Sequence, residues 1–229
     1  MRDLKNWTAR PAPQPVTLEG RFVRIEPYER SRHLQALWDA FGGMEINPLL
    51  KYFTQDEFSG IEDFDAWSEA AIKSGWVREV IFDKANGKAV GMAHYMRPDA
   101  ANGVVEIGGI AHGPAMSRSP ISTEAQYLLA KHVFENLGYR RYEWKCHNEN
   151  EASKRTAQRL GFTFEGVFRQ HMLSKRANRD TAWFSIIDSE WPVIAQAFER
   201  WLSADNFDAD GRQKQRLEDI RVELKELVS

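Results

Sequence analysis

The chain has 229 residues, with 31 Lys and Arg against 33 Asp and Glu and a net charge of −2. Hydrophobic residues make up 42%, enough for a full core in one domain, and the balanced charge does not advertise nucleic acid as a partner. The lone cysteine, Cys146, excludes an intramolecular disulfide and suits a reducing compartment.

Residues 1–17 are polar and carry Pro11, Pro13 and Pro15, which favour an extended arm over a helix. The arm has no apolar core run, so a signal peptide is not expected. No apolar run reaches the roughly 18 residues of a membrane span, and cytoplasm is the expected location. Residues 21–27 alternate as a short strand. Ser31 is placed to cap a helix carrying Leu34, Leu37, Trp38 and Phe41, which Gly42 and Gly43 stop.

Residues 44–58 read as irregular and aromatic. Ile61, Phe64, Trp67 and Ala71 mark a second helix ending at Gly75. Residues 76–83 and 88–96 form a hairpin about Asn86-Gly87, and a second turn leads into the strand at residues 104–112. A loop, a long helix from Thr123, a strand at 139–147 and a helix from Asn150 follow. Residues 162–174 and 181–188 pair as strands, joined by residues 176–180. Beyond them lies a helical extension, residues 189–229. There Leu217, Ile220, Leu224 and Leu227 make an apolar face that must pack on the domain or on a second subunit, which leaves a homodimer open. The order predicts an α+β protein with a central mixed sheet.

Four segments carry a resemblance: the strand 106–112; the loop 117–122 running into Thr123-Glu124-Ala125; the turn 137–141; and Asn150-x-x-Ser153 with Gly161-Phe162-x-x-Glu165-Gly166. Together they resemble the GNAT superfamily of acetyl-CoA-dependent N-acetyltransferases over residues 18–188. The nearest branch looks like the Rim type, which acetylates ribosomal-protein N-termini, together with its many uncharacterised relatives. The resemblance implies a mostly antiparallel mixed sheet flanked by helices, with a splayed parallel pair, residues 104–112 and 139–147. It also implies acetyl-CoA as co-substrate. The acceptor would be a primary amine of a small molecule or a peptide N-terminus, with no nucleic acid, membrane or metal involved.

The resemblance also implies site residues. Ile110, Ala111 and His112 would pair with the pantetheine amides and the acetyl oxygen. Ser117, Arg118, Ser119, Ile121, Ser122 and Thr123 would surround the pyrophosphate at a helix N-terminus. Asn150 would touch the pantetheine, and Ser153 would protonate the departing thiolate. The loop departs from the family pattern, because Pro120 and Ser122 stand where glycine or alanine is usual and Pro120 has no N–H to offer.

Glu106 is the candidate general base, and its alternative is a strand-surface carboxylate in an ion pair. His112 could move a proton or serve as a hydrogen-bonded structural residue. Asn150 and Ser153 could equally form a helix cap. No tyrosine lies between residues 148 and 160, so Ser153 or water would serve as the acid. Aromatic residues of segment 38–58, with Phe168, Arg169, His171 and Trp183, are candidates to frame the acceptor. Pro120 and the absent tyrosine motivate a second reading, a catalytically weakened binding or regulatory protein of the same fold.

Overall fold

The computed structural model of the chain describes residues 4–117 and 119–228. The strands are β1 (Leu18–Glu19), β2 (Val23–Pro27), β3 (Val77–Asp83), β4 (Lys88–Asp99), β5 (Val104–His112), β6 (Arg141–His147), β7 (Thr163–Ser174) and β8 (Ala177–Ile187). They form one sheet in the order β1-β2-β3-β4-β5-β6-β8-β7. Every neighbouring pair is antiparallel except β5 and β6.

Helices α1 (Arg30–Ala40) and α2 (Ile61–Lys73) cover one face of the sheet, where Leu37, Phe41 and Phe64 bury against Val80, Met92 and Ala111. The other face carries α3 (Pro120–Lys131), α4 (Glu151–Leu160), α5 (Trp191–Leu202) and α6 (Leu217–Val228). There Leu129, Leu160, Phe198 and Ile220 join Val105, Ile107, Tyr142 and Trp144 in the larger core. Strand alternation sends neighbouring side chains to opposite faces, which explains how one sheet serves two cores.

Local details differ from the sequence reading. Ser31 lies inside the first turn of α1, whose cap position is Glu29. Among the described residues no side chain caps the first-turn N–H groups; instead the Glu29 N–H itself donates to His33 Nδ1 at 2.9 Å, one turn on. The turn between β7 and β8 is Lys175-Arg176, with φ of 48° and 64°, and β8 begins at Ala177 rather than Thr181. A two-residue turn with both φ positive matches strand twist, so the strands continue to its edge. Helix α3 starts at Pro120, one turn earlier than Thr123. Proline is tolerated there because the N–H it lacks would have no helical partner. The apolar face of α6 packs within the chain: Leu217 and Ile220 are fully buried, while Leu227 is exposed.

The N-terminal segment is extended and tied down. Arg10 donates from its backbone to Ala100 O and from Nε to Gly138 O, and Tyr139 OH donates to Pro11 O. Val16 N–H donates to the carboxylate of Glu79 at 3.1 Å. Glu79 is buried, and burial pushes its carboxyl up to about 8 although the Val16 N–H works against the shift. Glu124 of α3 accepts from the backbone N–H groups of Arg21, Phe22 and Val23, anchoring the turn between β1 and β2.

The parallel ladder between β5 and β6 runs from Val104↔Arg141 to Ile107↔Trp144, and no pair follows. On its other side β5 pairs with β4 at His94↔Gly108 and again at Met92↔Ala111, so β5 carries one extra residue in between. This is a β-bulge, and it exchanges the faces. Val105 and Ile107 enter the larger core before it and Ile110 packs there after it, while Ala111 joins the smaller core. Gly109 at the bulge has φ of 55°. A Cβ there would meet His94 Nδ1 at 2.5 Å. Arg78 Nε donates to His94 Nε2 at 2.8 Å, so the ring proton is on Nδ1, 3.1 Å from the Gly109 carbonyl that accepts it. Burial, and then the Arg78 cation, hold the His94 imidazole well below its ordinary range, which keeps it neutral.

Gly109→Ala combines a disfavoured φ with contact against a buried ring. It should lower stability by roughly 1–3 kcal/mol or more, read by urea denaturation; an unchanged midpoint would mean the bulge relaxes freely. Glu79 supplies a second expectation. It ionises near 4.5 when unfolded and near 8 when folded, so unfolding releases a proton between those values. Its contribution to stability therefore declines as pH rises from about 4.5 to about 8. The Glu79→Gln variant should lack that decline, and identical pH profiles for the two proteins would contradict it.

Candidate active site

Where β5 and β6 part, a cavity of about 850 Å³ opens on the face covered by α3 to α6. His112 and Met116 line it at the end of β5, and Trp144 lines it from β6. Ser119, Ser122 and Thr123 enter from α3, Thr156 and Arg159 from α4, and Trp201 and Arg212 from the C-terminal segment.

The loop before α3 is shaped by its own hydroxyls. Ser119 Oγ donates to Met116 O at 2.9 Å, and Ser122 Oγ donates to Ser119 O at 3.1 Å. Ser117 lines the cavity from an exposed turn. Ile121 points elsewhere: its side chain is buried in the larger core, so only its backbone belongs to the first turn of α3. Thr123 Oγ1 accepts from Arg159 Nη1 at 3.0 Å, bridging α3 to α4. Arg118 lies outside the described residues. First-turn N–H groups of a helix have no internal acceptors, so Ile121 and Ser122 retain anion-binding capacity beside Pro120.

At the splayed strands, Ile110 is half-buried against the core, Ala111 is buried on the opposite face, and His112 faces the cavity. His112 Nε2 is buried without a hydrogen-bond partner among the described residues. Burial pushes its imidazole down to about 4, so the ring is neutral at neutral pH.

Asn150 is the N-cap of α4, its Oδ1 accepting from the Ser153 N–H at 3.1 Å. The Ser153 hydroxyl accepts from Trp144 Nε1 at 2.9 Å and lies against the Cys146 sulfur. Burial raises that thiol above its ordinary range.

Glu106 lies across the sheet from this cavity, because it alternates with the core residues Val105 and Ile107. Its Oε2 accepts from Lys145 Nζ at 2.9 Å and from Arg97 Nη1 at 2.5 Å. Lys145 also pairs with Glu143 at 2.7 Å, Glu143 with Arg141 at 2.7 Å, and Arg141 with Glu165. Charges thus alternate in a row from β4 to β7. Burial works to raise the Glu143 carboxyl, but hydrogen bonds from Lys145 and Arg141 outweigh it and hold the group below its ordinary value.

On this face the 3₁₀ segment Gly43–Tyr52 is bound to the β7–β8 hairpin. Lys175 Nζ donates to Leu50 O at 2.9 Å and Arg179 Nη1 to Tyr52 O at 2.8 Å. Phe168, His171 and Trp183 form a ring cluster, and Lys145 Nζ lies 3.9 Å above Trp183. Trp38 and Phe58 instead pack against Phe64 in the smaller core, tilted and edge-on respectively.

Sequence reasoning did not select His94 or Gln126. Gln126 lines the cavity from α3, and the available signal was a lone amide on an otherwise apolar helix face. In sequence Arg159 could meet a phosphate or be a solvated helix residue; here it is half-buried, bonded to Thr123 and 5.2 Å from the Trp201 ring.

Residues 23–163 match the family model described as an acetyltransferase (GNAT) domain. A crystal structure of a GCN5-related N-acetyltransferase from Brucella melitensis is 47% identical, with a TM-score of 0.91 over 96% of this chain and 100% of that one. A GNAT-family protein from Chromobacterium violaceum is 34% identical, with a TM-score of 0.78 over 84% of this chain and 96% of that one. A Salmonella typhimurium acetyl transferase that modifies the N-terminal serine of ribosomal protein L7/L12 shares the fold at 20% identity, with a TM-score of 0.63 over 73% of this chain and 96% of that one. None of the curated proteins compared matches the chain. With the splayed parallel strands and the cavity beside them, these matches show that the chain belongs to the GNAT acetyltransferase family, whose co-substrate is acetyl-CoA.

Proposed function

We propose that the chain binds acetyl-CoA in the cavity between α3 and α4, with the thioester at the gap between β5 and β6, and acetylates a primary amine arriving from the opposite face. The carrying observation is that the ladder ends at Ile107↔Trp144 beside a cavity of about 850 Å³. The chemistry of the lining fits such a ligand: the first turn of α3 offers N–H groups for a diphosphate, and the His112 Nε2 is buried and has no partner among the described residues. Hydrogen-bond donors along the open edge of β5 would stabilise charge on the acetyl oxygen.

The bound thioester supplies an activated acyl carbon. The remaining work is proton transfer, and the residues suited to it lie on opposite sides of the sheet. Glu106 is on the face that also carries Trp183 and Tyr52, where an amine would lose its proton. Ser153 does not itself line the cavity but is bonded to Trp144, which does, so its hydroxyl would meet the departing sulfur beside that ring. Neutral His112 would serve as a hydrogen-bond partner at the thioester. Acceptors within this reading are a small-molecule amine or a peptide N-terminus. Titration calorimetry with acetyl-CoA, then thiol release with an amine and peptide panel, tests it; absence of any saturable heat would refute it.

Ser153→Ala should lower kcat about tenfold to hundredfold with little change in the KM for acetyl-CoA, measured by steady-state thiol release. Glu106→Gln should lower kcat/KM by roughly 10²–10⁴, measured by steady-state thiol release. A lowered melting temperature with unchanged turnover would instead make Glu106 a structural ion-pair residue. The His112→Gln profile should keep the wild-type shape between pH 5 and 8, because burial holds the histidine near 4 and neutral throughout that range. A wild-type step near pH 6.5 that the variant lacks would show a charged His112.

A further inference from the structure

The C-terminal segment lies beyond the residues matched by the family model, yet it walls part of the cavity. After α5 the chain turns at Asp208–Arg212, where Asp208 N–H donates to Arg212 O and Gly211 takes φ of 75°. Phe207 and Gln213 bridge across this turn. The Trp201 indole donates to Gln213 Oε1 at 2.8 Å, fixing the turn to α5.

Facing this wall is Gln126, only 5% exposed. Neither its amide oxygen nor its amide nitrogen has a hydrogen-bond partner among the described residues. A buried amide of this kind is costly unless a ligand answers it with one acceptor and one donor. Arg159 stands nearby, bonded to Thr123 and over Trp201, with no carboxylate within ion-pair distance among the described residues. Arg212 adds a second cation at the rim, 3.3 Å from Asp210.

An unsatisfied amide, indole and phenyl rings, and two guanidinium groups match a purine bearing a phosphate. The purine edge presents a donor beside an acceptor, the ring stacks on aromatics, and the phosphate takes the cations. We propose that the C-terminal segment, with Gln126 and Arg159, forms a subsite that reads the adenosine 3′-phosphate end of coenzyme A. The inference rests on the acetyl-CoA reading of the cavity: with the thioester at the strand gap beside His112 and Trp144, and the diphosphate at the first turn of α3, the adenosine end takes the remaining lining, part of which the C-terminal segment supplies. The extension is thus part of the binding site as well as of the core.

The test is titration calorimetry of the full chain with coenzyme A, 3′-dephospho-coenzyme A and pantetheine. Wild type should prefer coenzyme A to its dephospho form by about tenfold or more. Arg212→Ala removes an exposed side chain. It should collapse that preference while leaving dephospho-coenzyme A binding unchanged. Gln126→Leu, close in volume, should weaken both nucleotides and leave pantetheine unaffected; a thermal melt checks that it folds. If wild type binds coenzyme A without discriminating the 3′-phosphate, or if both variants keep the wild-type affinities, the subsite is refuted while the acetyl-CoA reading stands. If wild type binds none of the three, both fall together.

Discussion

The hydrogen bond from His94 Nδ1 to the Gly109 carbonyl stands at the point where β5 leaves β6. Two neighbouring strands ordinarily satisfy each other along their length, so a gap needs a cause. Here the extra residue in β5 shifts its register and a left-handed glycine gives the backbone room to do so. His94 is held in its acceptor tautomer by Arg78, whose guanidinium is itself buried over the rings of Tyr28 and Trp67. In this chain of contacts from rings to cation to imidazole to backbone, Arg78 and His94 are both buried. The cavity, the exposed edge of β5 and the placement of His112 all follow from it.

The bulge also decides which chemistry lies where. Without the one-residue shift, the side chains beyond Gly109 would occupy the faces opposite to those they take. With it, His112 reaches the cavity while Glu106 remains on the other face, inside a row of alternating charges. Glu106 is neutralised by Arg97 and Lys145 at once, which answers how a carboxylate tolerates such burial. Ion pairing and a part in catalysis are not exclusive, since proton acceptance depends on what the bound amine adds to this row.

The loop before α3 shows how a glycine-poor segment can fit the same geometry. Pro120 occupies the first helical position, where an N–H would be unpaired in any case. Ser119 and Ser122 bond within the loop, stiffening a backbone that glycine would leave free. Glu124, one turn on, faces away and ties down the β1–β2 turn. One short stretch of α3 therefore serves an anchor on one side and a cavity on the other.

Periodicity and turn chemistry made most elements legible in the sequence alone: helical spacing in 61–73, alternation in 76–83, and Asn86-Gly87 between two strands. These depend on neighbours within a few residues, so local sequence suffices. The family motifs were legible too, and with them the mixed sheet and its splayed pair. The fate of individual polar residues was not. The sequence alone leaves Asn150 open between a cap and a ligand contact and Glu106 between a base and an ion pair, and does not single out Gln126. The cap partner and the two cations lie 3, 9 and 39 positions away, and Gln126 lacks a partner among the described residues. Leu217 and Ile220 announced a buried face but not its occupant, which proved to be the chain itself. Sequence determined the elements because their pattern is set by backbone geometry; tertiary structure decided the site because burial and pairing are properties of contacts between distant segments.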